Sequence, residues 1–199
     1  APLPGDNDRQ YSWTDAQEIV LDAFGDFDTD MAEIAKPFFD RNWIDAAPRA
    51  GKSSGAFSHP VVPSAHPYIL MNFAGKSRDV MTLAHEMGHG IHQVLAAEQG
   101  YLMSDTPLTL AETASVFAEM LAFRRLVDNE SDANVRRLLL AGKVEDMLNT
   151  VVRQIAFHNF ETQLHDRRAK AELTADEISD IWMETQRVAL GPAIRTGDD

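Results

Sequence analysis

Within TLAHEMGHGIH (residues 82–92), eight positions carry His85, Glu86, His89 and His92, in a chain with only seven histidines. Imidazole nitrogens bind zinc, and a carboxylate beside the metal can take a proton, so these residue types together point to metal-assisted hydrolysis. On a helix turning ~100° per residue, His89 lies one turn on and roughly 40° from His85, so both imidazoles can aim at one point. Glu86 is rotated about 100° from His85, which suits a place beside the metal rather than on it. His92 returns to within about 20° of His85, a turn further along. His-Glu-x-x-His is the zincin pattern, with two zinc ligands and a glutamate that serves as general base toward the attacking water. Gly88 and Gly90 each cost about 1 kcal/mol against alanine in a helix. Their presence predicts a close approach by the sheet or by substrate.

A catalytic zinc usually has three protein ligands and one open position. A metzincin would need glycine at 92 and histidine at 95, where this chain has His92 and Leu95. The remaining choice is a glutamate from a following helix, and LTLAETASVFAEM (108–120) supplies one. Glu112 is preferred; Glu119, seven residues on and on nearly the same face, either ligates or orients a ligand histidine. His59 and His66 lie in a Pro/Gly-rich segment and read as loop histidines. His158 and His165 are two turns apart, too far for one ion, and read as structural.

These residues need elements to hold them. A capping box of Thr14 and Gln17 predicts a helix over about 15–25, and Asp30 with Glu33 predicts a second short one. Pro and Gly break the chain over 47–67, where GAFS (55–58) reads as an extended edge piece, and PYILMNF (67–73) reads as a strand. Ser77 is the expected cap of the histidine helix, which ends at Gly100 after about Glu98. Thr106-Pro107 predicts the start of a helix through about Val127. A long helix follows over about 131–169, with a kink expected near Gly142. TADE (174–177) caps a last helix to about Leu190, stopped by Gly191-Pro192. The fold class is therefore mainly α and zincin-like: a helical bundle with a small β-sheet preceding the HExxH helix, in one region spanning 1–199.

The chain's formal net charge of −13 repels phosphate backbones and anionic lipid, so nucleic acid and membrane are poor partners. With no cysteine, disulfides and thiolate metal sites are excluded, and any zinc must use nitrogen and oxygen ligands. No apolar run approaches the ~20 residues of a membrane span, and APLPGDNDRQ lacks a secretory pattern, which points to the cytoplasm. Oligomeric state is not legible.

TLAHEMGHGIH followed by AETASVFAE closely resembles the oligoendopeptidase F / thimet oligopeptidase family of zinc metallopeptidases, the oligoendopeptidase F branch in particular. YSWTDAQEIVLDAF, RNWIDAAPRAGKSSGAFS, HPYILMNFAGKSRDVMTLAHE and RRAKAELTADEISDIW extend the resemblance over nearly the whole chain. It implies a mainly helical fold around a deep cleft, one zinc ion, and short peptides as substrates in the cytoplasm. It implies that His85, His89 and Glu112 bind zinc and that Glu86 is the base. His92, Glu119 and Tyr68 would stand near the substrate or behind the ligands, and the small sheet would offer an edge for an extended peptide. The family's Tyr-rich segment with a histidine, downstream of the region matching 174–195, has no counterpart here, and neither has its N-terminal helical region. The chain is therefore expected to be the catalytic core of a longer enzyme. A zinc-binding but catalytically impaired fragment, or a helical interaction module, would be the alternatives.

Overall fold

In the computed structural model, which describes residues 9–192, the first helix is set by Ser12, not Thr14. The Ser12 hydroxyl accepts the Asp15 N–H at 3.0 Å, and the Asp15 carboxylate accepts the Ser12 N–H at 2.9 Å. Helix α1 therefore runs Trp13–Phe27. Asp28, two residues before the expected cap, accepts from Asp30 N–H and starts α2 (Thr29–Asp40). Pro37 lies inside α2 without ending it. Along α1 the buried residues Ala16, Val20, Ala23 and Phe24 form one stripe at helical spacing.

Three short strands follow: β1 (Ile44–Asp45), β2 (Phe57–His59) and β3 (Tyr68–Leu70). The sheet order is β1-β3-β2, with β1 parallel and β2 antiparallel to the central β3. The GAFS segment thus enters β2, an edge strand, and the strand expected in PYILMNF is β3. The two-residue β1 was not expected, since two residues are too few to show a strand's alternation. Its Asp45 carboxylate binds Arg49 at 2.7 Å and Lys52 at 3.1 Å, folding the intervening loop back onto the strand. These cations hold the Asp45 carboxyl well below the usual carboxylate range, Arg49 contributing most.

The histidine helix, α3, runs Ser77–Ala96. The Asp79 carboxylate, rather than the Ser77 hydroxyl, closes its first turn by accepting from Ala74 N–H at 2.9 Å and Lys76 N–H at 3.0 Å. A 3-10 turn (Ala97–Gln99) and Gly100, at φ 78°, end the run. Helix α4 (Leu108–Asp128) begins after Pro107 and has no side-chain cap. Buried Val80, Leu83, Ala84, Met87 and Ile91 give α3 a core face against α4, α1, α2 and β3.

The chain divides into two units, Ala1–Arg136 and Arg137–Asp199. The core just described belongs to the first. The boundary falls in the opening turn of α5 (Ala133–Arg168), which runs unbroken through Gly142. In the second unit, Thr174 and Glu177 form the expected capping box of α6 (Ala175–Leu190). Trp182 of α6 stacks on Phe157 at 5.7 Å and meets Phe160 edge-on at 5.2 Å. The mainly α architecture with a small sheet ahead of the histidine helix is the one expected.

Candidate metal centre

Gly88 explains how α3 and α4 come together. A Cβ on it would lie 2.6 Å from the Ala114 carbonyl oxygen and 2.7 Å from the Ala118 methyl group. Only a residue without a side chain lets the α4 backbone pass this close. Gly90 is the counterpart on another side, where a Cβ would meet the Phe38 ring at 2.8 Å. The close approach expected at these glycines is thus made by α4 and by Phe38 of α2, with Ile69 of the sheet further out.

At that crossing, one side-chain atom each from His85, His89 and Glu112 lies within 4.8 Å of the other two. Glu112 Oε2 is 3.2 Å from His85 Nε2 and 3.6 Å from His89 Nε2. Two zinc bonds of ~2.0–2.1 Å at a tetrahedral angle would set their donor atoms about 3.3 Å apart. Two nitrogens and one carboxylate oxygen at this spacing fit zinc, and the structure brings together the three residues the sequence nominated. The Glu112 side chain is 65% exposed, which leaves an open side for water or substrate.

Behind the histidine, Glu119 Oε2 accepts from His85 Nδ1 at 3.1 Å. That bond leaves Nε2 as the lone-pair nitrogen facing Glu112. Of the two roles open to Glu119 in the sequence, the geometry favours orientation. Burial draws the His85 pKa down, but the Glu119 hydrogen bond and the charges of Glu86, Glu112 and Glu119 outweigh it and leave it raised. His89 is lowered, mainly by burial.

Glu86 is only 6% exposed. Burial pushes its carboxyl up to about 7, against the pull of His85, with Glu112 adding to the rise. The Ser58 backbone N–H of β2 faces that carboxylate and draws it partly back. A carboxyl group near neutrality is well matched to taking and returning a proton.

Ser115 is a residue the sequence did not single out. It is fully buried beneath Glu112 and its hydroxyl donates to Glu112 Oε2 at 2.7 Å. The only available signal was a serine three residues after the glutamate, which in a helix reads as neutral. His92 is partly buried and close enough for its charge to depress His89. Tyr68 is half-exposed at the start of β3, one position from the buried Ile69, and its ring lies 4.4 Å from His66. Among the described residues its ring meets that of His66.

A main chain with this fold and donor set has relatives. The sequence pattern of peptidase family M3 matches residues 28–198. The chain is 32% identical over 179 residues to the chromosomal oligoendopeptidase F of Lactococcus lactis subsp. cremoris, covering 89% of this chain and 30% of that protein. To oligopeptidase PepF of Bacillus subtilis (strain 168) it is 28% identical over 192 residues, covering 96% and 28%. The solved structure of Pz peptidase A with an inhibitor superposes with a TM-score of 0.72 at 18% identity, covering 94% and 32%, which is a likeness of fold. The chain belongs to peptidase family M3. It spans less than a third of the length of these two sequence relatives, whose names agree with the resemblance read from the sequence.

Proposed function

We propose that this chain carries the catalytic core of a zinc-dependent endopeptidase that cuts short peptides. The observation that carries the reading is the convergence of His85, His89 and Glu112, with Glu112 Oε2 3.2 and 3.6 Å from the two imidazole nitrogens, beside a buried Glu86 with a carboxyl near neutrality. When bound, zinc would polarise the scissile carbonyl and lower the pKa of water. His85 and His89 present nitrogen lone pairs and Glu112 an oxygen, with Glu119 and Ser115 fixing two of the three. Glu86 takes a proton from the attacking water at its carboxylate and delivers it to the leaving amine.

Strand β2 supports the peptide part of the reading. It is an edge strand beside Glu86, and because the Ser58 N–H faces Glu86 and the Ser58 carbonyl accepts from Gln93, an extended backbone would add here by taking over those two main-chain groups. Among the described residues no helix is long and apolar enough to cross a membrane. The cytoplasmic location expected from the sequence is kept as part of the proposal, and cell fractionation checks it.

The test pairs metal analysis with cleavage of a quenched peptide. Glu86→Gln is expected to keep stoichiometric zinc and lose turnover; near-normal cleavage by E86Q would remove Glu86 from the role of base. Glu112→Ala is expected to lose zinc on dialysis. A chain that binds zinc at these residues and cuts nothing at any chelator-sensitive rate would favour the impaired alternative.

A further inference from the structure

A cavity of about 740 Å³ opens beside the metal helix, within the size range of ligand pockets. Its walls are α2, the segment joining β2 to β3, the last turns of α3 and the loop at 101–105. Gln93 is shared between cavity and site. It lines the cavity, its Nε2 donates to the Ser58 carbonyl at 3.2 Å, and its Oε1 accepts from the Ser58 hydroxyl at 2.8 Å. Ser58 is also the residue whose N–H faces Glu86. The edge strand thus leads directly from the general base to the cavity mouth, where His59 is already a wall residue.

The chemistry of the walls is specific. Pro60, Val61, Val62 and Pro63 form one side, and Trp43 forms another, with the His66 ring stacked on it at 3.8 Å and 5°. Three polar groups of the walls, His59, His66 and Gln93, are engaged. His59 Nδ1 accepts from Val61 N–H at 3.0 Å, and Gln93 is held by Ser58. The exposed Asp105 sits at the rim and disfavours an acidic group. Val61 has φ 62°, a left-handed conformation that a β-branched residue rarely adopts and that the surrounding fold must impose. The wall is built at a cost in backbone strain, and with a proline on each side it is preformed.

We propose that this cavity receives one apolar, preferably aromatic, side chain of the peptide substrate and thereby sets cleavage preference. The proposal rests on the peptidase reading above. Gln93 lies seven residues beyond Glu86, about 10 Å along the helix. An extended peptide covers that in about three residues at ~3.3 Å each, so the side chain selected belongs roughly three positions from the bond cut.

The experiment walks a single phenylalanine through an alanine-rich peptide. Zinc-loaded wild-type protein gives the cut positions by mass spectrometry. Binding to Glu86→Gln is read by tryptophan fluorescence, with Trp43→Phe identifying the signal from the cavity. The expected result is a gain of about tenfold or more in binding at one position near the third from the bond, with the Trp43 signal. Ala97→Trp, which fills the cavity, is expected to erase the Phe-over-Ala ratio; should it melt early by circular dichroism, Ala65→Trp on the opposite wall serves instead. Cleavage with no positional preference, or an unchanged Phe-over-Ala ratio in a folded cavity-filled variant, overturns the proposal and leaves the peptidase reading standing. Position-dependent, Trp43-reported binding with no peptide cut supports the cavity's apolar selectivity while removing the peptidase reading.

Discussion

Glu112 is the most exposed of the three donor residues, and yet its carboxylate is aimed by the buried Ser115 hydroxyl at 2.7 Å. Glu119 does the same for His85 from the other side. Partners of this kind typically contribute 10–100-fold in metal affinity. Ser115→Ala and Glu119→Gln are each expected to weaken zinc binding within that range, measured by competition with a chromophoric chelator. Glu86 makes a separate prediction. Its folded pKa, about 7, lies above its ordinary value of 4.5, so the metal-free folded state holds a proton longer than the unfolded state does. Stability is then lost as pH rises from about 4.5 to 7, by up to about 3 kcal/mol. Glu86→Gln in chelator is expected to be more stable than wild type at pH 8, with the gap closing toward pH 4.5; parallel urea midpoints across that range would remove the assignment. The motif was legible because His85, Glu86 and His89 are local on one helix. Ser115 was not, because its importance depends on what lies above it in three dimensions.

At the scale of elements, the crossing of α3 and α4 decides whether those donors meet. Gly88→Ala would drive a methyl group into the Ala114 carbonyl and the Ala118 side chain. Overpacking of this sort costs about 1–3 kcal/mol. The expected outcome is a lower melting temperature together with weaker zinc binding, since the helices part where Glu112 begins. Gly142 on α5 provides the contrast, because a Cβ there meets nothing within 4 Å. Gly142→Ala is expected to stabilise by about 0.5–1 kcal/mol and to leave zinc binding unchanged. The sequence foretold the glycines' close approach without naming the neighbour, because a missing side chain records contact but not its partner. Helix starts show a related limit. Ser12/Asp15 and Thr14/Gln17 are both capping boxes by composition, and Trp13, the first helical residue, packed edge-on against Phe39 and Phe73, favours the first. Strand β1 is held in place by β3 and by the Asp45 clamp, contacts outside its own two residues.

Across the whole molecule, burial is unequally shared. The first unit carries the extended core of α1 to α4, whereas α6 contributes only Ile181 and Thr185 as buried residues. Regions with few buried apolar contacts open more often. Amides of α6 are therefore expected to exchange with deuterium faster than those of α3 around Leu83 to Met87, read by peptide-level mass spectrometry. Equal protection in the two would contradict this. Net charge is legible in the sequence, because it needs no coordinates. The boundary between the two units has no mark in the sequence, because helical periodicity runs straight through it inside α5.

The Asp79 clasp on Ala74 and Lys76 has a consequence for how this chain tolerates change in length. It fixes the first turn of α3 against the chain leaving β3, and six residues later His85 must face α4. One residue inserted between them would swing both histidines by about 100°. The same insertion at 101–106, between α3 and α4, would leave the histidines in place and reshape only a loop at the cavity wall. Sequence drift in this protein can therefore alter letters within α3 only away from His85, Glu86, Gly88, His89 and Gly90, and it cannot change the count between Asp79 and His89.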